Sequence, residues 1–257
     1  MIILLLAIDI GNTNIVIGCI KDGDILFNER ISTDHKATDL EYSIRIKSVL
    51  EIHEIKRREI EGAAVSSVVP AVTGEISRAV EKLFGFSPLI VGPGVKTGLR
   101  ILIDNPAQLG SDLVVDAVAG LNFYAPPLII IDMGTATTFS VIDKDGSYLG
   151  GQIIPGMRTS LDALTSGAAQ LSKVKLQKPN HVIGRNTEEC IQSGIMHYTA
   201  SGIDGCIERI EDELGCKCTV VATGGLSGLV VPLCRHEIIY DNDLLLKGLT
   251  VIYDKNR

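Results

Sequence analysis

Short apolar runs rich in isoleucine and valine, each stopped by aspartate, asparagine or glycine, dominate both halves of this chain. Ile2–Ile8 runs into Asp9, Ile15–Ile20 leaves that turn, and Ile25–Ile31 follows Lys21-Asp22-Gly23. The pattern predicts three strands joined by tight turns. Thr38 is then placed to cap a helix, with Asp39 and Glu41 in its first turn, that reaches about His53. Ala63–Val69 is a predicted buried strand, Pro70 suits the first turn of a helix closed by Gly85, Leu89–Val91 is a short strand, and 92–98 is a loop. A further helix is predicted from Gly110-Ser111 to about Tyr124. In the second half, strands are predicted at Leu128–Asp132, Thr137–Ile142, Tyr148–Ile154, Thr219–Thr223 and His236–Ile239, with helices at Met157–Ser166, Thr187–Leu214 and Asp243–Tyr253.

The two openings are one phrase written twice. Residues 8–23 and 131–146 align without a gap, and six of the sixteen positions are identical, including Asp9/Asp132 and Gly11/Gly134. Strands first and helices after, twice over, predict an α/β fold of two duplicated lobes with mixed sheets, divided as 1–118 and 119–257. A cleft between lobes is where such a fold is expected to hold a ligand.

Composition narrows the partners. The 24 basic and 31 acidic residues give a net charge of −7, which argues against a binder of nucleic-acid backbones. No apolar stretch approaches the roughly 20 residues that span a membrane. Ile2–Ile8 is too short for a secretory core, lacks a basic flank and runs straight into Asp9. The six cysteines show no CxxC pair and no histidine at ligand spacing, so reduced thiols and a cytoplasmic setting are expected.

The doubled turns carry the candidate chemistry. In Asp9-Ile10-Gly11-Asn12-Thr13-Asn14, glycine permits close backbone approach and the amides after it can donate to phosphate oxygens. A carboxylate repels phosphate unless a cation stands between them, and hydrated Mg²⁺ near Asp9 would reconcile the two. Aspartate, asparagine and glycine are also ordinary turn residues, so this motif alone leaves a plain β-turn open. Asp132-Met133-Gly134-Thr135-Ala136-Thr137-Thr138 adds a second carboxylate and three hydroxyls. β-Propensity accounts for Thr137 and Thr138 but not for the repeated Asp-x-Gly. Thr223-Gly224-Gly225 follows a strand, and its bare backbone would let a nucleobase and ribose lie close.

With these residues in view, the chain resembles the acetate and sugar kinase, heat-shock ATPase and actin superfamily, and within it the type III pantothenate kinases. The resemblance runs from Asp9-x-Gly-Asn-Thr through Ser66-Ser67-Val68-Val69-Pro70, Asp104-Asn105-Pro106 and Gly110-Ser111-Asp112. It continues through Asp132-x-Gly-Thr-Ala-Thr-Thr, the segment 150–156, Asn186-Thr187 with Ser193-Gly194, and 222–226. It implies ribonuclease H-like lobes and ATP-dependent phosphorylation of pantothenate to 4'-phosphopantothenate, the first step towards coenzyme A. It also implies Mg²⁺, a monovalent cation (potassium or ammonium) and a homodimer. By motif, Asp9, Ile10, Gly11, Asn12, Thr13, Asn14, Ile15 and Val16 would bind ATP together with Thr135, Gly224 and Gly225. Asp132 would ligate potassium. Gly110, Ser111, Asp112, Leu113 and Thr187 would hold pantothenate, with Asp112 as general base.

Asp112 has its own physical reading. In the first turn of a helix the dipole favours an ionised carboxylate, which predicts a low-pKa base, and an acidic residue there can equally be a helix stabiliser. Phosphoryl transfer goes mainly through positioning and charge neutralisation, so a modest base suffices. The chain departs from the family at Ile103 and Leu113, where members carry tyrosine and arginine associated with pantothenate. Three accounts stand: Arg100 or Arg158 takes the carboxylate, the acceptor is a related hydroxy compound, or turnover has been lost. A nucleotide- or metabolite-binding regulator on the same fold is the alternative to a kinase.

Overall fold

The computed structural model describes residues 4–166 and 174–257. Ile2 and Ile3, at the start of the first predicted strand, lie outside the described residues. The chain divides into two compact units.

The first unit is built on β1 (Leu4–Ile10), β2 (Asn14–Lys21), β3 (Asp24–Ser32), β4 (Ile60–Ser67) and β5 (Leu89–Ile90), in the order β3-β2-β1-β4-β5. β1, β2 and β3 form an antiparallel meander, and β4 and β5 join in parallel. Alternation splits β1 between two cores. Leu6, Ile8 and Ile10 pack with Ile15, Ile17 and Ile46 on one face, whereas Leu5 and Ala7 pack with Ala64 and Val115 on the other. Burial on both sides is why the strand reads as one continuous apolar run. Helix α1 (Asp39–Ile52) starts with the anticipated cap: Thr38 Oγ1 accepts from the Glu41 amide at 3.4 Å, and the Glu41 carboxylate accepts from the Thr38 amide at 2.7 Å. Helix α2 (Pro70–Phe84) opens on proline and closes on Gly85 in the left-handed region. Helix α3 (Ser111–Phe123) follows.

The second unit contains β6 (Arg100–Ile101), β7 (Leu128–Met133), β8 (Ala136–Ile142), β9 (Ser147–Pro155), β10 (Thr219–Thr223) and β11 (Ile239–Tyr240). Their order is β11-β10-β7-β8-β9-β6. Without β6, strand order and direction repeat those of the first sheet, so the sequence duplication is a duplication of topology. The helices are α4 (Met157–Ser166), α5 (Thr187–Leu214) and the short α6 (Ser227–Val230). The strand expected at His236–Ile239 lies at Ile239–Tyr240 instead. The Asp204 carboxylate accepts from the amides of Arg235 and His236 and contacts His236 Nδ1 at 3.0 Å, which holds that backbone out of the sheet. β6, just beyond the expected loop 92–98, is a strand that the sequence pattern does not predict; it pairs two residues in parallel with β9.

The units differ from the division at 118/119. Residues 104–122 group with the first unit, and so does the last helix, α7 (Leu244–Asn256). The cause is apolar: Leu246, Leu249 and Ile252 of α7 share one core with Leu5, Ala7 and Ala64 of the first sheet and Val115 and Val118 of α3. Covering the open face of that sheet outweighs sequence proximity.

Candidate active site

The first acidic turn joins β1 to β2. Asp9 pairs with Val16 and Ile10 with Ile15, and the Gly11 amide closes the turn on the Asn14 carbonyl at 3.0 Å. Asn12 and Thr13 form an exposed tip, while Asp9 is half-buried. Ile10 and Ile15 are fully buried in the core, so anything they offer a ligand comes from the backbone. Thr33, just beyond β3, holds the turn from outside: its hydroxyl donates to the Gly11 carbonyl at 2.6 Å and its amide to the Thr13 carbonyl at 3.0 Å. Nothing in the motif itself pointed to Thr33.

The start of α3 is tied to the same strand ends. Ser111 Oγ accepts from the Ser67 amide and donates to the Ser67 carbonyl, both at 2.9 Å, and lies 3.2 Å from Ser66 Oγ. Ser66 and Ser67 pair with Asp9 and Ile10. One unit therefore brings together the Asp9 turn and Gly110, Ser111, Asp112 and Leu113. Asp112 Oδ1 accepts from the Leu113 amide at 2.9 Å and folds back over residue 110. A β-carbon on Gly110 would stand 2.4 Å from that oxygen, so a side chain there would push the carboxylate aside. Burial pushes the Asp112 carboxyl above its ordinary value, against the lowering effect of the Leu113 amide and its own. The low pKa expected from the helix dipole is overturned, because desolvation exceeds the stabilisation that the first helical turn provides.

In the second unit, the Gly134 amide donates to the Ala136 carbonyl at 2.9 Å and closes the second acidic turn. The Thr135 carbonyl accepts from the Gly156 amide at 3.1 Å and from Thr159 Oγ1 at 2.7 Å, which seats α4 on the turn. The glycine turn after β10 abuts the same place. Thr223 pairs with Asp132, and a β-carbon on Gly224, at φ +91°, would lie 2.4 Å from Asp132 Oδ1. Asp132 and Gly224 are thus neighbours, with Thr135 further along the same turn as Asp132 and Gly225 exposed. Thr187 stands apart as the exposed first residue of α5, behind the Asn186 cap.

A family model described as type III pantothenate kinase matches residues 5–209. The chain belongs to the type III pantothenate kinase family. Relatives of that name from Bacillus cytotoxicus and Moorella thermoacetica are each 41% identical over 253 residues, covering 98% of this chain and 97% and 100% of theirs. Among solved structures, the activator of 2-hydroxyisocaproyl-CoA dehydratase from Clostridium difficile, with bound ADPNP, is similar in fold. Its TM-score is 0.59 at 15% identity, over 98% of this chain and 96% of that one.

Against the pantothenate kinase family, the second turn also answers whether a cation fits. No group of three or more histidine, cysteine, aspartate or glutamate side chains among the described residues is arranged to hold a metal. The oxygen set is of another kind. Thr138 faces Asp132 across the β7–β8 ladder, and its buried hydroxyl has no hydrogen-bond partner. An orphaned hydroxyl oxygen beside a carboxylate suits a hard cation held by few protein ligands and water. Leu113 is half-buried on α3, and Arg100 and Arg158 are both exposed in the second unit.

Proposed function

We propose that this protein phosphorylates pantothenate with ATP, the first step of coenzyme A biosynthesis. The observation that carries the reading is 41% identity, over 98% of the chain, to relatives named type III pantothenate kinase. The primary hydroxyl of pantothenate attacks the terminal phosphorus of ATP, the bond to the bridging oxygen breaks, ADP leaves, and the hydroxyl proton passes to Asp112. Burial suits Asp112 to this role, because a raised pKa makes it a better proton acceptor at neutral pH than an exposed aspartate. Gly110 and the Ser111 tether fix where that carboxylate sits.

In this reading the amides of the Asp9–Val16 segment hold the phosphates of ATP, and Thr135, Gly224 and Gly225 hold the rest of the nucleotide. Asp9 holds Mg²⁺ through water, and Asp132, with the Thr138 hydroxyl, holds potassium or ammonium. Bound cations supply charge neutralisation at the phosphates. Gly110, Leu113 and Thr187 contact pantothenate, and Arg100 or Arg158 meets its carboxylate in place of the family's arginine. The protein works in the cytoplasm as a homodimer. Support for self-association comes from α5, which leaves Tyr198 78% exposed between Gly194 and Gly202, both flanked by open space.

A coupled assay tests the function: ADP release with and without pantothenate, in potassium and then in sodium. The expected result is pantothenate-dependent release that is faster in potassium. No such release under either cation overturns it. Light scattering of Tyr198→Glu, expected to shift dimer to monomer, checks the assembly.

A further inference from the structure

Among the described residues, an open groove of about 880 Å³ lies where β3 ends, lined by the segment 30–36 and by Arg45 of α1. Its charge runs against that of the molecule. Arg30, Lys36 and Arg45 line it in a chain whose net charge is −7. One acid, Asp34, belongs to the groove, and it is already committed. Its carboxylate accepts from the Lys36 amide at 3.0 Å and pairs with Arg45 at 3.2 Å, and these two interactions, the amide first, hold it below the usual carboxylate range. Among the described residues, neither the Arg30 guanidinium nor the Lys36 ammonium has an ion pair.

The groove adjoins the first acidic turn through Thr33. Thr33, part of its wall, is the residue that bonds the carbonyls of Gly11 and Thr13. Arg30 pairs with Val16, and Val16 with Asp9, so Arg30 and Asp9 leave the same face of the sheet two strands apart, roughly 10 Å. The turn itself offers phosphates neutral donors and one carboxylate, and no cationic side chain. Beyond bound metal cations, positive charge for a strongly anionic ligand there has to come from side chains outside the motif, and the groove beside the turn supplies them.

We propose that this groove is a phosphate subsite in which Arg30 and Lys36 position the terminal phosphates of the nucleoside triphosphate held by the first turn. The proposal rests on the ATP-dependent reading above. Arg30 presents a planar fork of donors for phosphate oxygens and Lys36 a mobile point charge. Both offset negative charge as it moves to the departing diphosphate. Inorganic phosphate shares this chemistry, and its source is separated by comparing nucleotides.

The test measures calorimetric affinity for ATP, AMP and inorganic phosphate, with steady-state kinetics, in Arg30→Ala, Lys36→Ala and Arg30→Lys. The alanine variants are expected to weaken ATP binding about tenfold or more, as loss of a charge-assisted bond does. AMP affinity, pantothenate KM and Tm stay at wild-type values, Arg30→Lys recovers part of the loss, and Lys47→Ala, on α1 outside the groove, changes nothing. Wild-type ATP affinity in both alanine variants overturns the proposal. So does equal loss of ATP and AMP binding, which marks a structural role, or an effect confined to inorganic phosphate, which marks a separate anion site. If wild-type protein lacks pantothenate-dependent ADP release, the kinase reading falls, while the ATP-against-AMP comparison still decides the groove.

Discussion

Asp112 shows how two local effects compete over one carboxyl group. The start of α3 favours its ionised form, burial favours the protonated form, and burial prevails. The folded chain therefore keeps the proton at pH values where the unfolded chain has released it. The associated stability is fully present below the ordinary carboxylate pKa of about 3.9 and is lost as pH rises through the elevated value. At neutral pH the ionised group is a stability cost, and the proposed role as proton acceptor requires that form. Asp112→Asn is expected to lower kcat by about 10²-fold or more with ATP affinity retained. Its Tm should match or exceed that of the wild type at pH 7, and the difference should shrink on acidification; melting curves across pH check this. In the wild type, the acid limb of kcat/KM should fall above the ordinary aspartate range and should be absent from the residual activity of the variant. The acidic residues were legible in the sequence because each sits in a short motif. Their supports were not. Thr33 acts on a carbonyl 22 positions away and Ser111 on one 44 positions away, and no local pattern records such bonds.

At the scale of elements, strands and caps were read well wherever a local cause determines them. The Thr38 cap, the Pro70 opening and the Gly85 close are each set within a few residues, and the structure has all three. β6 was not predicted and β11 was expected earlier, at His236–Ile239, because both are positioned by backbone pairing with a distant neighbour, which leaves little periodicity to read. The seating of α4 on the second turn is also an element-level device. A β-carbon at Gly156 would lie 2.4 Å from the Thr135 carbonyl and 2.5 Å from that of Gly134, both rigid backbone atoms. Gly156→Ala should therefore destabilise by about 1–3 kcal/mol, a typical overpacking cost, and raise the KM for ATP by displacing Thr135. Thermal melts and kinetics on the same preparation check both. A fully active variant of unchanged Tm would show that the turn yields freely.

Across the whole molecule, the duplication was legible and its partition was not. Apart from β6, the repeated strand order of the two sheets agrees with the repeated phrase. The membership of α7 does not, because an apolar helix face carries no label for the sheet it will cover. Leu249 of α7 is fully buried in the first unit's core. Leu249→Ala is expected to cost about 2–5 kcal/mol, read by denaturant titration, and to expose the first unit more than the second to hydrogen exchange. Equal loss of protection in both units would mean that the two unfold together. The return of α7 also has a consequence in time. Residues 244–256 leave the ribosome only after every strand of the second unit has been made. The sheet bearing Asp9 must wait, with part of an apolar face uncovered, until the whole second unit has been synthesised, and during that wait chaperone binding or misassociation competes with folding.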